Sequence, residues 1–353
     1  MSGRIAILQE NLARETIDAL VLTSPYNVRY YTGNFSGGFL IVTSGEATLL
    51  VNPLELYAAE DLAKGCAIER YQQPELIAKL IEVLGTRRLV GFDDLAHKTL
   101  SMLAKQLSET RFEQRQDLVW KQRRYKDEGE IRLMEEAGRL ADVAVEALRG
   151  KLAVGMSEYE LAAVASYTMM SEGAESHGFD PIVASGPASA YPHSFPSERK
   201  VQRGDLIVVD IGATYKGYRS DITRTFIVGN PNGKQRSLYD AVLRAHDAAY
   251  NEMRGGASCK GVDAAARMVI EDTGHGPEFV HSLGHGVGLE VHEPPSVSPR
   301  SDEVLGVRDV ISDEPGIYIH GYGGVRIEDT VLIESGGPRR LTNSPRGIDW
   351  VVR

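Results

Sequence analysis

The chain has 353 residues, 42 % of them hydrophobic, which is enough for two domains of ordinary size with separate cores. Its formal net charge of −10 argues against a general nucleic-acid-binding protein, because such proteins present a basic surface to phosphate. Cys66 and Cys259 are too few for a disulfide framework or a thiolate metal site, so we interpret them as packing residues.

The N-terminal segment is charged rather than apolar. Residues 1–25 carry acidic and basic side chains within an amphipathic pattern and lack the uncharged apolar stretch of a signal peptide. No run of about 18 apolar residues occurs in the sequence, so we expect no transmembrane span and no membrane partner. These features predict a cytoplasmic protein.

The first 120 residues alternate between helical periodicity and short β-rich runs. Helical patterns occupy 5–18, 54–64, 75–84 and 98–107, and β-rich runs occupy 19–23, 38–43, 47–51 and 88–92. This alternation predicts a small α/β domain.

A dense run of charges at 121–130 (KQRRYKDEGE) interrupts the alternation. We interpret its basic residues as a solvated linker and place the domain boundary near residue 125, which gives domains 1–124 and 125–353. Helical patterns follow at 131–152, 157–172, 235–253 and 259–273, separated by glycine-rich, strand-like stretches. The polar candidates for chemistry all lie in this second domain.

Two β-rich runs within 206–228 flank a probable turn at 215–216 and predict a hairpin. With a two-residue loop, Asp210 is directly opposite Asp221, and such side chains have Cβ atoms about 4.5–5.5 Å apart. Asp210 also follows four apolar residues, so we expect it in a buried strand, where a charge must be paired or bound to metal. Two aspartates that merely end a strand and cap a turn remain the alternative.

Five of the nine histidines fall between residues 275 and 320, and three of them lie in 279–294. The spacing of His281 and His285 is that of a helical zinc motif, but no glutamate follows His281, and glycines 284, 286 and 288 disfavour a helix. A dinucleotide motif is excluded as well, because these glycines do not follow a strand and open a helix. We predict a glycine-rich loop whose backbone approaches a ligand.

Two acidic residues complete the candidate set. Glu314 precedes Pro315-Gly316, and Glu328 lies in a strand-like segment whose alternation puts it on one face with Arg326. An ordinary turn explains Glu314 alone, and a solvated strand face explains Glu328 alone.

Taken together, these segments resemble the Xaa-Pro peptidase family, which comprises prolidases and aminopeptidase P. The matching stretches are 210–212 (DIG), 220–225 (SDITRT), 284–293 (GHGVGLEVHE), 314–318 (EPGIY) and 325–329 (VRIED). Residues 29–33 (RYYTG) and 39–42 (FLIV) resemble the N-terminal domain of the same family. The resemblance implies an α/β N-terminal domain followed by an α+β catalytic domain with the pita-bread fold.

The resemblance also implies a set of five metal ligands. In that assignment Asp210 chelates one ion, His285 and Glu314 bind the other, and Asp221 and Glu328 bridge both. Oxygen-rich ligation with one imidazole suits two divalent ions, with manganese favoured and cobalt or zinc possible. Ser194 and Ser312 stand where the family frequently has glycine and threonine, and neither departure removes a ligand.

Two further histidines match active-site histidines that lie outside the metal shell. His193 and His292 are expected to stabilise the tetrahedral intermediate and orient the peptide, while Glu314 acts as general base. A bond before proline lacks an N–H, so its recognition needs a pocket shaped for the ring. The wall candidates for this pocket are Phe179, Tyr191 and Tyr218.

The expected substrate is a small peptide with proline at the second position. The stretch 290–293 (EVHE) favours an Xaa-Pro dipeptidase, and the alternative is an aminopeptidase P that acts on longer peptides. Arg326, Arg300 or a residue of a partner subunit is expected to bind the substrate carboxylate, since a guanidinium binds a carboxylate bidentately. The resemblance further implies a homodimer.

Three relatives of other kinds are disfavoured. The full ligand set argues against creatinase and against metal-free binding or chaperone modules. Methionine aminopeptidase shares the ligand set but typically lacks the N-terminal α/β domain.

Overall fold

The computed structural model describes residues 3–33, 35 and 37–353 of the chain. The chain divides into two compact units, Met1–Arg123 and Arg124–Arg353. Each unit buries a hydrophobic core of its own. None of the helices within the described ranges combines the length and the apolar character needed to cross a bilayer.

The first unit is built on a six-stranded sheet with the order β4-β3-β2-β1-β5-β6. Neighbours of β2 run antiparallel to it and the other pairs are parallel. The strands are β1 Ala19–Leu22, β2 Phe39–Thr43, β3 Ala47–Val51, β4 Ala67–Arg70, β5 Leu89–Phe92 and β6 Arg111–Gln114. Six helices accompany them: α1 Arg4–Arg14, α2 Pro25–Thr32, α3 Leu56–Leu62, α4 Leu76–Leu84, α5 His97–Gln106 and α6 Gln116–Arg123.

The predicted α/β architecture of this unit is confirmed, with every predicted helix and strand present. In α1 the apolar residues Ile5, Leu8 and Leu12 recur at helical spacing and are buried. The strands β4 and β6 and the helices α2 and α6 were not predicted. Both unpredicted strands lie at sheet edges, where polar, half-exposed residues replace the apolar pattern of a central strand.

The second unit packs helices around several antiparallel sheets. Its helices are α7 Glu128–Lys151, α8 Glu158–Ser171, α9 Gly233–Glu252, α10 Cys259–Asp272 and α11 Ile348–Val351. A three-stranded sheet has the order β12-β9-β8, a five-stranded sheet the order β14-β13-β15-β18-β19, and β16 pairs with β17. These strands are β8 Ile182–Ser185, β9 Leu206–Ile211, β12 Ile222–Ile227, β13 Gly284–Gly286, β14 Glu293–Val297, β15 Val310–Asp313, β16 Gly316–Ile319, β17 Gly323–Arg326, β18 Asp329–Glu334 and β19 Gly337–Arg340. A small sheet adds β7 Ser176–His177, β10 Ala213–Tyr215 and β11 Tyr218–Arg219.

The long helices begin at residues that cap them. Asp127, Ser157 and Asn232 each accept a hydrogen bond from the backbone of the first helical turn, in capping boxes that start α7, α8 and α9. Gly138 lies in the middle of α7 because a Cβ there would be 2.2 Å from the Leu341 carbonyl oxygen. The four predicted helices of this unit are therefore confirmed, and α7 begins three residues earlier than its apolar pattern.

The hairpin register differs from the prediction. The turn falls at Lys216-Gly217, whose φ angles of 46° and 85° suit a tight hairpin turn, and Tyr215 pairs with Tyr218. Thr223 consequently lies opposite Asp210, so the predicted direct opposition of Asp210 and Asp221 is wrong. The prediction treated Gly217 as a strand residue, whereas its positive φ places it inside the turn. A shift of two residues keeps both aspartates on the same face.

Candidate metal centre

One cavity of about 440 Å³ in the second unit is lined by every residue predicted for the site. These residues are His193, Asp210, Asp221, His285, His292, Glu314, Arg326 and Glu328. They are spread over more than 100 positions of the sequence, from His193 to Glu328, so the fold rather than local sequence brings them together.

Strand pairing places the first carboxylates. Asp210 lies near the end of β9, with 8 % of its surface exposed, and its neighbours Val209 and Ile211 point into the core. Asp221 precedes β12, and its backbone N–H donates to the Thr330 hydroxyl at 3.0 Å. The hydroxyl of Thr330 in turn donates to the carbonyl of Asp221 at 2.8 Å. Asp221 is thereby fixed by backbone contacts that leave its carboxylate free to face the cavity.

Glu328 reaches the same face through a bridge between sheets. Its backbone N–H donates to the carbonyl of Thr223 at 3.1 Å, and its Oε2 accepts from the Thr223 hydroxyl at 2.6 Å. The predicted alternation is confirmed, because Val325 and Ile327 belong to the core whereas Arg326 and Glu328 line the cavity. A solvated strand face is excluded for Glu328, which is 1 % exposed.

His285 points its Nε2 atom at two carboxylates. Nε2 lies 3.2 Å from Oε1 of Glu314 and 3.8 Å from Oδ2 of Asp221. On the other side of the ring, Nδ1 lies 3.1 Å from the Gly286 carbonyl oxygen, so it is the nitrogen that donates. This orientation leaves Nε2 available as a ligand, as is common for histidines that bind metals. The stretch around it is a strand and a loop, so the rejection of a helical zinc motif is confirmed.

The hydroxyl of Ser312 links His285 to Glu314. It accepts from the backbone N–H of His285 at 3.0 Å and donates to Oε1 of Glu314 at 3.1 Å. Serine at this position therefore supplies the hydroxyl that the frequent threonine would supply, and the departure from the family pattern leaves both candidate ligands in place.

The ligand-type atoms of three residues lie within 4.8 Å of one another, namely those of Asp221, His285 and Glu328. Burial, with the charges of Glu328 and Asp210, raises the pKa of Asp221 well above its usual range. Burial, with the charges of Glu314 and Asp210, does the same to the pKa of Glu328. These carboxylates are thus crowded in a setting that favours a bound cation over four free negative charges.

Glu314 behaves differently from its neighbours. Burial alone would raise its pKa, but the hydrogen bond and charge of His285 outweigh burial and hold the pKa at about 2. Glu314 is therefore ionised across the physiological pH range.

Arg326 occupies the wall of the cavity and is 3 % exposed. Its Nη2 donates to Oδ2 of Asp210 at 2.6 Å, its Nη1 to the Tyr318 hydroxyl at 2.8 Å, and its Nε to the Thr223 hydroxyl at 3.1 Å. The other carboxylate oxygen of Asp210, Oδ1, is buried and accepts no hydrogen bond from any residue that the structure describes. That oxygen is oriented for a ligand from outside the protein.

Three histidines lie around the metal-ligand cluster. His292 packs its ring edge-on against His285, with 4.3 Å between ring centroids, and burial together with His285 lowers its pKa. His193 lines the cavity from the segment after β8. His281, which was not predicted as a site residue, accepts from the Tyr318 hydroxyl at 2.9 Å while its Nδ1 donates to the Ser282 carbonyl. Its four-residue spacing from His285 is the sequence feature that could have identified His281 as a cavity residue, although the spacing argues only against a helical zinc site.

The apolar wall matches the prediction in part. Phe179 lines the cavity, as predicted, and Ile182, Pro192 and Val291 join it without having been predicted. Tyr191 and Tyr218 do not line the cavity, so both predictions were wrong. Tyr191 is 53 % exposed, and the hydroxyl of Tyr218 is buried against Glu130 at 2.7 Å. Arg300, the alternative carboxylate partner, is exposed and does not line the cavity either.

Comparison with known proteins gives consistent matches over nearly the whole chain. Residues 132–335 match the model of metallopeptidase family M24, and residues 4–125 match the creatinase/prolidase N-terminal domain. An Xaa-Pro dipeptidase of Pyrococcus horikoshii is 40 % identical over 348 residues, 98 % of each chain. The crystal structure of a prolidase from Pyrococcus horikoshii has a TM-score of 0.93 at 39 % identity, covering 98 % of this chain and 99 % of that one. An X-Pro aminopeptidase from Thermotoga maritima has a TM-score of 0.89 at 32 % identity, covering 97 % of this chain and all of the other.

Proposed function

Because this chain belongs to metallopeptidase family M24, we propose that it hydrolyses the bond preceding proline in Xaa-Pro dipeptides. The predicted family, its two-domain pita-bread fold and its peptidase nature are confirmed. Membership of this family implies divalent metal ions. The observation that carries the proposal is the convergence of four carboxylates and His285 on one cavity.

The residues of the cavity fit such ions. The metal-ligand atoms of the cavity are Oδ1 of Asp210, which accepts no hydrogen bond from the described residues, Nε2 of His285 and the oxygens of the crowded carboxylates. Arg326 alone does not balance their negative charge. We assign Asp210 to one ion, His285 and Glu314 to the other, and Asp221 and Glu328 to both. The close approach of Asp221, His285 and Glu328 supports this division. Oxygen-rich ligation favours two manganese ions per chain, with cobalt or zinc as substitutes.

In this proposal the protein handles protons and orients the peptide. Two divalent ions, when bound, lower the pKa of a water and polarise a carbonyl oxygen. The carboxylate of Glu314 is ionised, so it can accept the proton of the attacking water as the new C–O bond forms. The same proton passes to the proline nitrogen as the C–N bond breaks. His292 and His193 donate hydrogen bonds that stabilise the tetrahedral intermediate and orient the substrate.

The geometry supports a role for Arg326 that differs from the predicted one. Its guanidinium already donates to Asp210, Tyr318 and Thr223 inside the cavity wall. We therefore propose that Arg326 orients Asp210 as a ligand, rather than binding the carboxylate of the substrate. An arginine-to-lysine change should reduce metal affinity, because lysine cannot make the three directed contacts.

Preference for dipeptides is tested with matched substrates. We expect the manganese-loaded enzyme to hydrolyse Gly-Pro and Ala-Pro faster than Ala-Pro-Ala, with little activity on Ala-Ala. The similarity to an Xaa-Pro dipeptidase at 40 % identity supports this order over that of an X-Pro aminopeptidase at 32 %. A higher kcat/KM for Ala-Pro-Ala than for Ala-Pro would instead assign the alternative, aminopeptidase P activity.

We also propose that the protein is a cytoplasmic homodimer whose N-terminal and catalytic domains meet at residues 124–125. Light scattering at micromolar concentration should then give about twice the chain mass of 38.7 kDa. A strictly monomeric, fully active enzyme would contradict the dimer. Cell fractionation tests the compartment, and limited proteolysis tests the boundary.

A further inference from the structure

The segment between Ser185 and Ser197 carries His193 into the cavity. The imidazole of His193 is exposed, and within the described part of the chain no side chain or backbone group forms a hydrogen bond with it. Packing therefore does not fix the position of this ring. Its place in the cavity depends on how the backbone of the segment is held.

Both ends of this segment are held by one carboxylate, that of Glu158. Its Oε1 accepts hydrogen bonds from the backbone N–H and the hydroxyl of Ser185, at 2.7 and 2.6 Å. Its Oε2 accepts from the backbone N–H and the hydroxyl of Ser197, at 3.0 and 2.6 Å. The carboxylate thus closes the segment into a loop whose two ends share four hydrogen bonds.

Glu158 is fully buried, at 0 % exposure, and its carboxylate is surrounded by hydrogen-bond donors. It is the first residue of α8, where the helix dipole favours a negative charge, and it receives four donors. Arg199 braces the anchor, since its Nη1 donates to the Ser185 hydroxyl at 2.5 Å while its guanidinium forms an ion pair with Asp205. Four donated hydrogen bonds make the burial of this carboxylate less costly than the burial of an isolated one.

The start of α8 does not need Glu158 as a cap. Ser157 and Glu160 already form a capping box, in which the Ser157 hydroxyl accepts from the Glu160 N–H at 3.1 Å. Oε2 of Glu160 accepts from the Ser157 N–H at 2.6 Å. The side chain of Glu158 is therefore directed to the loop and not to its own helix.

Two hydrogen bonds, longer than most of those to Glu158, connect the middle of the loop to the cavity wall. The hydroxyl of Ser189 accepts from the Gly324 N–H at 2.9 Å, and the Pro192 carbonyl accepts from Nη1 of Arg326 at 3.4 Å. Without the carboxylate, the Ser185 end would keep its pairing with Ile207, and the Ser197 end would keep one backbone hydrogen bond, from the Tyr159 N–H at 3.2 Å, so the residues between Pro192 and Ser197 would be held less firmly. We propose that Glu158 is a positioning residue that fixes His193 over the metal centre by clamping both ends of its loop, an inference that rests on the proposed role of His193.

The substitution Glu158→Gln tests the clamp with almost no change of shape. It replaces one carboxylate oxygen by an amide NH₂, which cannot accept from a backbone N–H or from a hydroxyl oriented toward it. One of the two anchors is therefore lost while the other remains. A misplacement of about 1 Å can cost about a hundredfold in rate, so we expect kcat on Ala-Pro to fall by about ten- to a hundredfold. The metal content should stay unchanged.

Glu160→Gln is the matched control, because it makes the same chemical change two residues away on the same helical turn. Glu160 is exposed and contacts Ser157 and Lys200, not the loop. This variant should weaken the cap of α8 and lower the melting temperature while leaving kcat unchanged. An equal loss of kcat in both variants would show that general destabilisation of α8, and not the clamp, determines activity.

The decisive measurement is a double-mutant cycle with His193→Ala. If Glu158 acts through His193, Glu158→Gln has no further effect on kcat once His193 is absent, so the double variant equals His193→Ala. Multiplicative effects, or wild-type kcat in Glu158→Gln, would overturn the inference. If Glu158→Gln fails to fold, Ser197→Ala replaces it in the double-mutant cycle, because this change removes a single hydroxyl from the same clamp. Full activity in His193→Ala would instead show that the proposed function of this histidine is wrong, and the clamp inference would fall with it.

Discussion

Replacing His292 by alanine should separate the cavity histidines from the metal ligands. Its ring packs on His285 at 4.3 Å between centroids, but it is not among the three residues whose ligand-type atoms lie within 4.8 Å. Removing one donor to an oxyanion typically costs about a hundred- to a thousandfold in kcat, or roughly 2.7–4 kcal/mol. His292 is exposed, so water can partly replace its hydrogen bond, and we expect the lower end of that range.

The comparison variant is Asp221→Asn, which keeps the shape of the side chain and removes its charge. Asp221 is 5 % exposed and lies between Glu328 and Asp210, whose charges both act on it. The amide cannot supply the negative charge that two cations share, so metal affinity and activity should be lost together. His292→Ala should retain both ions while its turnover falls.

Both quantities are measured on the same preparations, by elemental analysis and by hydrolysis of Ala-Pro with saturating manganese. Loss of metal from His292→Ala would refute the separation of roles. Retention of two ions and near-normal turnover by Asp221→Asn would refute the assignment of the bridging ligand. An unchanged melting temperature in His292→Ala serves as the control for folding.

Three further predictions concern charge and stability. Removing the metal with a chelator should lower the melting temperature. Metal added back should release protons, because burial raises the pKa of Asp221 and Glu328 well above the usual range. Calorimetry in buffers of different ionisation enthalpy measures this release. Lys126 is buried in an ion pair with Glu293 at 3.1 Å, so the prediction of a solvated linker is wrong for this residue. Lys126→Met should destabilise the protein by about 3–5 kcal/mol in urea unfolding, and adding Glu293→Gln should recover part of the loss. Burial alone would lower the pKa of His246, but Asp313, Asp247 and Asp329 raise it to about 9. Its stabilising contribution is therefore complete below pH 6.5 and is lost as the pH rises through 9. The unfolding free energy of the wild type should therefore fall relative to that of His246→Gln over this range, and parallel pH profiles would contradict the assignment.

The sequence was informative wherever burial imposes a pattern. The central strands β1, β2 and β3 are apolar because the sheet is covered, and each was predicted within one residue. The edge strands β4 and β6 carry sequences such as AIER and RFEQ, in which no face is wholly apolar. Their pairing comes from neighbouring strands, which is a tertiary effect that local periodicity does not report.

The hairpin shows how a local error can leave a functional prediction intact. The turn was placed one residue early, and this moved the partner of Asp210 from Thr223 to Asp221. Because side chains alternate with a period of two, the resulting shift of two residues did not change the face on which Asp221 lies. The prediction placed Asp210 and Asp221 on the correct face of the hairpin but in the wrong register.

Loop residues were harder to predict, since their convergence depends on the whole fold. The residues alone left ordinary explanations open for Asp221, Glu314 and Glu328, and the family resemblance supplied their combination. Tyr191 and Tyr218 were predicted as walls of the proline pocket, yet Tyr191 is exposed and the hydroxyl of Tyr218 is hydrogen-bonded to Glu130. His281 lines the cavity although its sequence context was used only as an argument against a helix.

A cluster of buried aspartates and cationic residues adjoins the metal ligands in the sequence. Asp313 and Asp329 are directly opposed in the antiparallel pair of β15 and β18, and both are fully buried. Like charges at opposed positions repel, so the pair needs positive charge from elsewhere. Nε2 of His246 lies 3.3 Å from Oδ2 of Asp329 and 3.7 Å from Oδ2 of Asp313. Two arginines donate to the same aspartate at 2.7 and 2.8 Å: Arg224 and Arg346.

Each of these aspartates is adjacent in sequence to a proposed metal ligand, Glu314 or Glu328. The two glutamates lie one residue beyond the ends of β15 and β18 and line the cavity, whereas the adjacent aspartates, inside the strands, point toward His246. Behind the cavity, Arg224, Arg346 and His246 balance Asp329, and burial raises the pKa of Asp313 to about 7, which reduces its charge at neutral pH. The cavity carboxylates, in contrast, outnumber the guanidinium of Arg326 that faces them. The excess negative charge on the cavity side is therefore a property of the strand register, and divalent ions are the partners that would balance it.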